Sequence, residues 1–489
     1  MKFKVKDMDI ATGGTLVVIL NYKDAHKLDL RSGDRIIVRK GKKWQVCILD
    51  ISESDKVVPE GKVGVFEEVL DKLHLKHKET VEIEYTGKPE SVKHIRDKLF
   101  GKKLSYKEIS HIIEDISYDR LTDIEKTYFV SAGFINGWST DEIVNMTKAM
   151  VEAGDQIKIK ALTLDKHCIG GVPGNRTTMI VIPIIAAAGF TIPKTSSRAI
   201  TSPAGTADTM ECLANVELSE KKILGVIKKT KACIVHGGSI NLAPADDKII
   251  DVEHPLSIDA EGQLVASVMA KKYSVSANHV LIDVPMGPEV KIKNRKDAKR
   301  MKKIFELIGR KLGMNVKVII TDGTQPIGNG IGPLLEAEEV MAVLRNDPLA
   351  PQDLRKKAID MAGILLEMTG KHRWGRKEAE KILTSGKALK KMNEIIKAQG
   401  KLNGLVRGEH SYIIKSSKKG KVKAINNETI SKIARIAGAP KDKGSGLYLH
   451  KKVKDKVSKG EPLYTIYAEN KFKLNLAKDF AKKNKGFTL

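Results

Sequence analysis

The sequence predicts a multidomain α/β protein that begins with a β-rich module and ends with a separate α+β domain. Its 489 residues exceed what a single hydrophobic core usually holds. Strand-like and helical patterns alternate through the middle of the chain, which is typical of an α/β sheet. Short strand-like runs separated by glycine turns lie on both sides of that middle region.

The N-terminal module is predicted to span residues 1–86. Apolar and polar residues alternate in runs such as 14–20, 35–38 and 80–85, and Gly and Asp turns separate these runs. A glycine–proline turn at 87–89 ends the module. We expect a small β-rich domain here.

Helical patterns follow over about 88–160. Isoleucines from Ile109 to Ile116 recur at the spacing of one helix face. Ser139 has the character of an N-cap before a second apolar-periodic run. Another helical patch, at about 245–280, interrupts the later part of the chain.

The α/β unit is predicted over 161–244 and 281–400. Residues 280–284 and 316–320 have the pattern of buried strands, and a basic amphipathic helix connects them. The last segment, 401–489, returns to short strands with glycine turns, so it is predicted to be a separate α+β domain.

Composition excludes several classes of protein. With 41% apolar residues the chain has ample material for packed cores, so it is not disordered. No apolar run reaches the roughly 18 residues of a membrane span, and the N-terminus lacks the apolar stretch of a signal peptide. We therefore expect a soluble cytoplasmic protein. The four cysteines show no CxxC spacing, which argues against a disulfide framework and against structural zinc.

The net charge of +26 first suggests a nucleic-acid-binding protein. However, residues 401–489 hold 22 Lys and Arg against 7 Asp and Glu, so more than half of the excess lies in the last fifth of the chain. Lysine dominates there, and aromatic residues make up only 5% of the chain. The chain therefore has few aromatic rings on which bases could stack and, in this region, few arginines for bidentate contacts to guanine. Nucleic-acid binding is kept only as a remote alternative.

The most informative stretch starts at Asp165 and reads DKHCIGGVPGNRTT. Its glycines let backbone N–H groups approach an anion, and the helix that follows adds positive potential at its N-terminus. Lys166 supplies a point charge. These are the groups that a bound phosphate needs, although the spacing is not that of a Walker A loop. A plain strand–turn–helix connection is the alternative.

A second loop, residues 196–206, is rich in hydroxyl groups and carries Arg198. Hydroxyls and a guanidinium suit a phosphate or a sugar, and a solvated loop is the alternative. Because two such loops flank one apolar helix, we expect a shared anion site.

Two later stretches carry further candidates. Asp259 precedes a predicted helix on which Ser267 and Lys271 share one face, and helix capping alone is the favoured role for such an aspartate. Lys291 follows a buried strand, which is where ligands of α/β sheets bind. An ordinary surface lysine is the commoner outcome in so basic a chain.

In their order and spacing these motifs resemble the thymidine/pyrimidine-nucleoside phosphorylases, over residues from about 90 to 480. The extra N-terminal module is similar to the archaeal branch of that family, the AMP phosphorylases, and this similarity extends along the whole length. The residues that carry the resemblance are Asp165, Lys166, His167, Gly170, Gly171, Ser196, Arg198, Gly205, Thr206, Ser267 and Lys271.

The resemblance implies phosphorolysis of an N-glycosidic bond. Inorganic phosphate attacks C1′ while the base departs, through an oxocarbenium-like transition state and without a protein nucleophile. It also implies a fold of the type II nucleoside phosphorylase kind, in which the helical domain is discontinuous and combines 88–160 with 245–280. The α/β domain would bind phosphate.

Departures from the family pattern bear on the substrate. Val252 stands where pyrimidine-specific members have an arginine that reads the base, and Cys168 stands where they have a phosphate-binding serine. Loss of pyrimidine reading fits a broader base tolerance. The resemblance thus implies that AMP and phosphate give adenine and ribose 1,5-bisphosphate in nucleotide salvage, with CMP and UMP also accepted. A thymidine or pyrimidine-nucleoside phosphorylase is the alternative.

Site residues are carried over position by position. Asp259 matches the proposed proton donor and His167 is the rival acid. Lys166 is expected on phosphate. No cofactor, metal or nucleic acid is expected, no membrane partner is expected, and the family implies a homodimer or larger homo-oligomer. The expected nucleotide contacts are Gly171, Ser197, Arg198, Ala199, Ile200, Thr201, Ser202, Thr206, Ser267 and Lys291.

Overall fold

The computed structural model describes residues 1–199, 202–256, 258 and 260–489. The chain forms two compact units, of which the first combines Met1–Ala153 with Pro244–Leu264 and the second combines Gly154–Ala243 with Val265–Leu489. Helices and strands are mixed as the sequence predicts, so the multidomain α/β class is confirmed. The domain boundaries given above stay a prediction. Within the described residues, no helix has the length and apolar character needed to cross a membrane.

A closed β-barrel begins the first unit. Its strands are β1 (Lys2–Asp7), β2 (Val17–Asn21), β3 (Arg35–Lys40), β4 (Lys43–Ser52), β5 (Lys62–Val65) and β6 (Thr80–Tyr85), with helices α1 (Tyr22–Lys27) and α2 (Glu67–Leu73) between them. The strand order is β1-β5-β2-β4-β3-β6. Side chains alternate between buried and exposed along β1, which is the period-2 pattern of a strand with one face in a core.

Helices complete the first unit. They are α3 (Glu90–Leu99), α4 (Tyr106–Ser117), α5 (Asp123–Asn136), α6 (Thr140–Glu152) and, from later in the chain, α10 (Pro244–Leu256). Helix α3 packs on α5, α4 packs on α6, and α10 packs on α4 and α5. Ser139 caps α6 as predicted, since its side chain and that of Glu142 form a reciprocal capping box.

A buried ion pair lies inside this bundle. Nζ of Lys98 is 2.8 Å from Oε1 of Glu142, and both side chains are only 3% exposed. The same ammonium lies 4.3 Å from the ring centroid of Trp138. The carboxylate also accepts the backbone N–H of Leu104 at 2.9 Å. Because both charges are removed from water, each depends on the other for compensation.

The second unit is built on parallel strands. They are β7 (Leu164–Cys168), β8 (Ile192–Ser196), β9 (Ala232–His236), β10 (His279–Met286) and β11 (Asn315–Asp322). The order β11-β10-β7 forms one sheet and β8-β9 a parallel pair. A parallel bridge between Thr163 and Thr191 joins the starts of β7 and β8. The strands predicted at 280–284 and 316–320 lie within β10 and β11.

Helices cover these strands. Helix α7 forms the centre of the core, because its residues from 177 to 186 are all buried and it packs on α14 and α16. Helix α11 starts in the first unit and continues into the second. Besides the short helix Gly237–Ile240, the helices are α7 (Thr177–Ala187), α8 (Thr206–Glu211), α9 (Glu220–Thr230), α11 (Glu261–Tyr273), α12 (Arg295–Lys311), α13 (Pro333–Leu344), α14 (Gln352–Met368), α15 (Gly375–Thr384) and α16 (Lys387–Gln399).

The C-terminal region adds an antiparallel sheet of order β12-β16-β18-β13, where β12 (Gly330–Ile331) comes from the preceding region of the chain. The other members are β13 (His410–Lys415), β16 (Gly446–Leu449) and β18 (Pro462–Ala468). Smaller pairs and helices are β14 (Gly420–Lys421) with β17 (Lys456–Val457), β15 (Ala424–Ile425) with β19 (Phe487–Thr488), α17 (Asn427–Ile436) and α18 (Lys471–Lys483).

Replacing Lys98 by Met should destabilise the bundle strongly. The substitution keeps the volume but leaves the Glu142 carboxylate buried without its cation, so the free energy of unfolding should fall by about 3–5 kcal/mol. Lys102→Met is the matched control, because the Lys102 side chain is 53% exposed in its ion pairs and its loss should cost about 0–1 kcal/mol. Urea unfolding followed by tryptophan fluorescence measures both. Equal small losses would show that the buried pair is not a structural requirement.

Candidate active site

The carboxyl ends of parallel strands bring three loops to one edge of the second unit. Cys168 at the end of β7 pairs with Asp283 of β10. The loops that follow β7, β8 and β10 span 169–176, 197–205 and 287–294, and each contains part of a stretch selected from the sequence. Ligands of open α/β sheets bind at this edge, so the strand order supports the prediction of a shared site.

Lys166 lies beneath the N-terminus of α7. The side chain is buried, and its Nζ donates to Oγ1 of Thr177 at 2.9 Å and to Oγ1 of Thr178 at 3.2 Å. Burial lowers the pKa of this ammonium. Its third N–H has no hydrogen-bond partner among the described residues. A donor therefore remains for an anion at the positive end of a helix.

Asp165 contacts two further buried lysines. Its Oδ2 accepts from Nζ of Lys272 at 2.5 Å, and its Oδ1 lies 3.7 Å from Nζ of Lys194. Lys194 also donates to the backbone carbonyl of Lys166 at 3.0 Å. Burial is the largest influence on Lys194 and lowers its pKa to about 7, although Asp165 opposes this change.

Asp283 holds a fourth lysine in the same centre. Its Oδ2 lies 3.0 Å from Nζ of Lys357, and its Oδ1 accepts from the hydroxyl of Thr321 at 2.6 Å. Burial alone would raise the pKa of Asp283, but the charges of Lys357 and Lys166 and the Thr321 hydrogen bond bring the pKa below its usual range. Asp283 is therefore a carboxylate.

These contacts place four lysines, Lys166, Lys194, Lys272 and Lys357, near only two carboxylates, those of Asp165 and Asp283. Burial lowers the pKa of Lys166 and of Lys194 because their charged forms lack full compensation. An anion bound here would stabilise those charged forms, so the arrangement favours anion binding.

Close glycine packing joins the loop after β7 to the loops after β10 and β11. A Cβ on Gly171, which has φ +94°, would lie 3.0 Å from Cα of Val290, and a Cβ on Gly174 would lie 2.1 Å from the carbonyl oxygen of Ile327. Gly171 thus contacts the residue next to Lys291. Lys291 itself is exposed.

Arg176 joins the loop after β7 to the loop after β8. Its guanidinium donates to the carbonyl of Ala204, lies 3.5 Å from Oγ1 of Thr206, and forms an ion pair with the buried Glu336. Sequence reasoning did not select Arg176. Thr206, a predicted nucleotide contact, is therefore held beside the first loop.

Asp208 closes the loop that carries most of the predicted nucleotide contacts. Its Oδ2 accepts the backbone N–H groups of Ala199 at 2.7 Å and of Gly205 at 2.9 Å. The hydroxyl of Ser202 donates to the carbonyl of Ala204 at 3.1 Å, and Ser197 is exposed. Two further predicted contacts, Ile200 and Thr201, lie outside the described residues.

Arg198, a predicted nucleotide contact, binds carboxylates of this chain. Its Nη1 and Nη2 each donate to Glu211 at 2.8 Å, Nη2 donates to Glu217 at 2.7 Å, and Nη1 donates to Asp208 at 3.3 Å. The Glu211 hydrogen bond is the largest influence that raises the pKa of Arg198. In this structure the guanidinium holds the loop in shape, and a nucleotide contact by Arg198 stays a prediction.

His167 is poorly suited to deliver a proton. Burial, together with the charges of Lys272, Lys194 and Lys271, lowers the pKa of His167 well below its usual value. The imidazole is therefore neutral near pH 7. Lys271 acts on His167 from α11, where Ser267 is half-buried. The other candidate acid, Asp259, lies outside the described residues.

The chain is similar along nearly all of its length to two archaeal enzymes. It is 46% identical over 474 residues to AMP phosphorylase 1 of Archaeoglobus fulgidus, which covers 96% of this chain and 94% of that protein. It is 45% identical over 485 residues to AMP phosphorylase of Thermococcus kodakarensis, covering 98% and 95%. A provisionally named thymidine phosphorylase of Legionella pneumophila (strain Paris) is 44% identical over 448 residues, covering 91% and 86%.

The chain belongs to the AMP and thymidine phosphorylase family. The predicted family resemblance and the class of enzyme, a pentosyltransferase, are thereby confirmed. Family models also match domain by domain: the glycosyl transferase family helical bundle domain at 92–154, its a/b domain at 160–389, and the pyrimidine nucleoside phosphorylase C-terminal domain at 421–487.

Solved structures show how the family's central fold compares. Anthranilate phosphoribosyltransferase from Thermus thermophilus has a TM-score of 0.53 and 18% identity, and covers 63% of this chain and 99% of that chain. The enzyme from Saccharomyces cerevisiae has a TM-score of 0.51 and 14% identity, covering 63% and 97%. At these identities the likeness shows the fold alone.

Sequence reasoning missed much of the phosphorylase's buried charge. Lys194, Lys357 and Asp283 were not selected, although Lys194 and Asp283 stand inside strands that are otherwise apolar. Charged residues are rare in buried strands unless they have a partner, so a lysine or an aspartate within an apolar strand could have marked this buried charge cluster.

Lys194 should give the stability a distinctive pH dependence. Its pKa is lowered from 10.5 to about 7 in the folded protein. Between these values unfolding takes up a proton, so raising the pH stabilises the folded state, by at most about 1.4 kcal/mol per pH unit. The difference in free energy of unfolding between wild type and Lys194→Met should therefore shift in favour of wild type as the pH rises from 7 to 10.

Urea titrations at several pH values measure this difference. Lys222→Met on the exposed face of α9 is the control for loss of a lysine. A pH-independent difference for Lys194→Met would mean that Lys194 stays charged when buried.

Proposed function

We propose that this protein cleaves nucleoside 5′-monophosphates by phosphorolysis, converting AMP and phosphate to adenine and ribose 1,5-bisphosphate, with CMP and UMP as further substrates. The observation that carries the proposal is the free donor of Lys166, beneath the N-terminus of α7 in a centre where four lysines lie near two carboxylates. This is chemistry for a phosphate ion. Relatives named AMP phosphorylase cover more than nine-tenths of the chain and support the choice of nucleotide.

The proposed reaction needs positioning more than covalent chemistry. Lys166 and the N-terminus of α7 hold inorganic phosphate, whose oxygen forms the new bond to C1′ as the bond from C1′ to the base nitrogen breaks. Positive charge develops on the ribose ring, and the phosphate dianion stabilises it. A fixed set of cations needs no reorganisation during this step, which is how electrostatic catalysis lowers a barrier.

The 5′-phosphate of the nucleotide is assigned to the loop after β8. Ser197, Ser202 and Thr206 supply hydroxyl groups, and Arg198 keeps the loop in shape through its carboxylate partners. Hydroxyl and backbone N–H donors are suited to a phosphate whose charge is not consumed in the reaction. We assign Gly171, Ser267 and Lys291 to the remaining contacts on the basis of the family resemblance.

Protonation of the departing base is assigned to Asp259. This assignment rests on the family resemblance, since Asp259 lies outside the described residues. The lowered pKa of His167 supports this assignment, because an imidazole that is already neutral is too weak an acid to protonate the departing base.

The substrate assay tests the activity. Adenine should be released from AMP only when phosphate is present, and kcat/KM for AMP should exceed the values for adenosine, thymidine and uridine. Chromatography of the reaction mixture measures each base. Faster reaction of thymidine or uridine than of any monophosphate would establish the alternative, a pyrimidine-nucleoside phosphorylase. Absence of phosphorolysis with tight, salt-sensitive nucleic-acid binding would overturn both.

Lys166→Met should reduce kcat/KM for phosphate by about 10²- to 10³-fold, because a preorganised donor to the anion is lost while the volume is kept. Initial rates at varied phosphate concentration measure the change. Lys222→Met is the control and should leave the rates unchanged. An unaltered kcat/KM for phosphate in Lys166→Met would show that Lys166 does not bind phosphate and would contradict the proposed phosphate site.

Asp259→Asn should lower kcat by about 10²- to 10⁴-fold while AMP binding is largely retained, since an amide cannot supply the proton. Single-turnover rates and equilibrium AMP binding separate the two effects. Near-normal turnover would assign protonation to water or to another group.

A further inference from the structure

Three side chains of metal-ligand type converge between two helices of the bundle. Glu90 and His94 lie one turn apart on α3, and His111 lies on α4. One ligand atom from each residue lies within 4.8 Å of the other two. The imidazole centroids are 5.8 Å apart. We propose that Glu90, His94 and His111 bind a divalent transition-metal ion.

The state of His94 points independently to a ligand. The residue is only 8% exposed, and its buried Nδ1 has no hydrogen-bond partner. Oε1 of Glu108 is 3.8 Å from this Nδ1, which is beyond hydrogen-bond distance. Buried polar atoms without a partner are rare and need an explanation. Coordination of a metal ion by Nδ1 would supply one.

A second set of ligand atoms shares His94 but already has a cation. His94, Asp97 and Glu108 also come within 4.8 Å of one another. However, Nζ of Lys102 lies 3.3 Å from Asp97 and 2.8 Å from Glu108, so an ammonium neutralises these carboxylates.

Glu90 and His111 are in a different situation. Among the described residues, neither side chain has an ion pair or a hydrogen bond, and the ring of His111 lies beside that of His94. The set of Glu90, His94 and His111 is therefore the one with free ligand atoms.

The donor set determines the class of metal. Two imidazoles and one carboxylate suit Zn²⁺, Co²⁺ or Ni²⁺, whereas Mg²⁺ and Ca²⁺ prefer oxygen ligands alone. Ligand atoms of a tetrahedral zinc ion lie about 3.4 Å apart, given bond lengths of about 2.0–2.1 Å. The ligand atoms of Glu90, His94 and His111 lie within 4.8 Å of one another, so metal binding requires side-chain rotations that bring them closer. Three protein ligands leave a fourth position for water, and the ion would link α3 to α4.

The absence of CxxC spacing does not bear on this site. Its ligands are imidazoles and a carboxylate, and they are divided between two helices, so no short sequence motif encodes them. The inference is also separate from the phosphorolysis proposed above, since none of these residues was assigned to it.

The experiment uses the untagged full-length protein after treatment with a chelator and dialysis. Calorimetric titration with Zn²⁺ should show one saturable site per chain, and Co²⁺ should develop the visible absorption of tetrahedral coordination. Glu90→Gln and His111→Gln should each weaken binding by at least the roughly 10- to 100-fold that loss of an outer-shell partner costs. Zn²⁺ should raise Tm in wild type and in neither variant.

His26→Gln is the matched control, because His26 is an exposed histidine on α1. It should bind Zn²⁺ as wild type does. Absence of saturable binding in wild type overturns the proposal. Equal affinity in wild type, Glu90→Gln and His111→Gln also overturns it, because the ion would then bind elsewhere.

Discussion

Two buried aspartates organise the charge on which the second unit depends. Asp165 and Asp283 stand inside parallel strands and between them contact Lys194, Lys272 and Lys357. Lysines of this kind keep their charge in a core only near carboxylates, yet two aspartates are too few to compensate them and Lys166 together. Burial therefore lowers the pKa of Lys166 and of Lys194. An anion bound at the strand ends would stabilise the charged forms of these lysines.

The loops around the centre depend on one another more than on their own sequences. Arg176 joins the loop after β7 to that after β8, and Asp208 ties the two ends of the latter together. Gly171 permits the loop after β7 to touch the loop after β10. Since each loop is held by backbone hydrogen bonds or close packing from another, the hydroxyl groups they carry are presented on a fixed frame. Preorganisation of this kind is what electrostatic catalysis requires.

Family membership and substrate choice rest on different observations. Relatives named as AMP and as thymidine phosphorylases both cover more than nine-tenths of this chain, so the length of the match does not distinguish the two names. The distinction depends on contacts to the base and to a 5′-phosphate.

The sequence by itself determined the α/β class, several strands and helices, the capping of α6 by Ser139, and the motifs that identify the family, because these depend on neighbouring residues and local periodicity. It also selected Lys166 as a candidate phosphate ligand, since a lysine shortly before a glycine-rich loop and a helix N-terminus is a local pattern typical of anion binding. Only the tertiary structure decided what Arg198 contacts, because Glu211 and Glu217 reach it through the folding of separate segments. The same holds for the convergence of Glu90, His94 and His111, which two helices bring together. Charge compensation and ligand convergence are decided by distances between remote residues, and a sequence pattern carries no such distances.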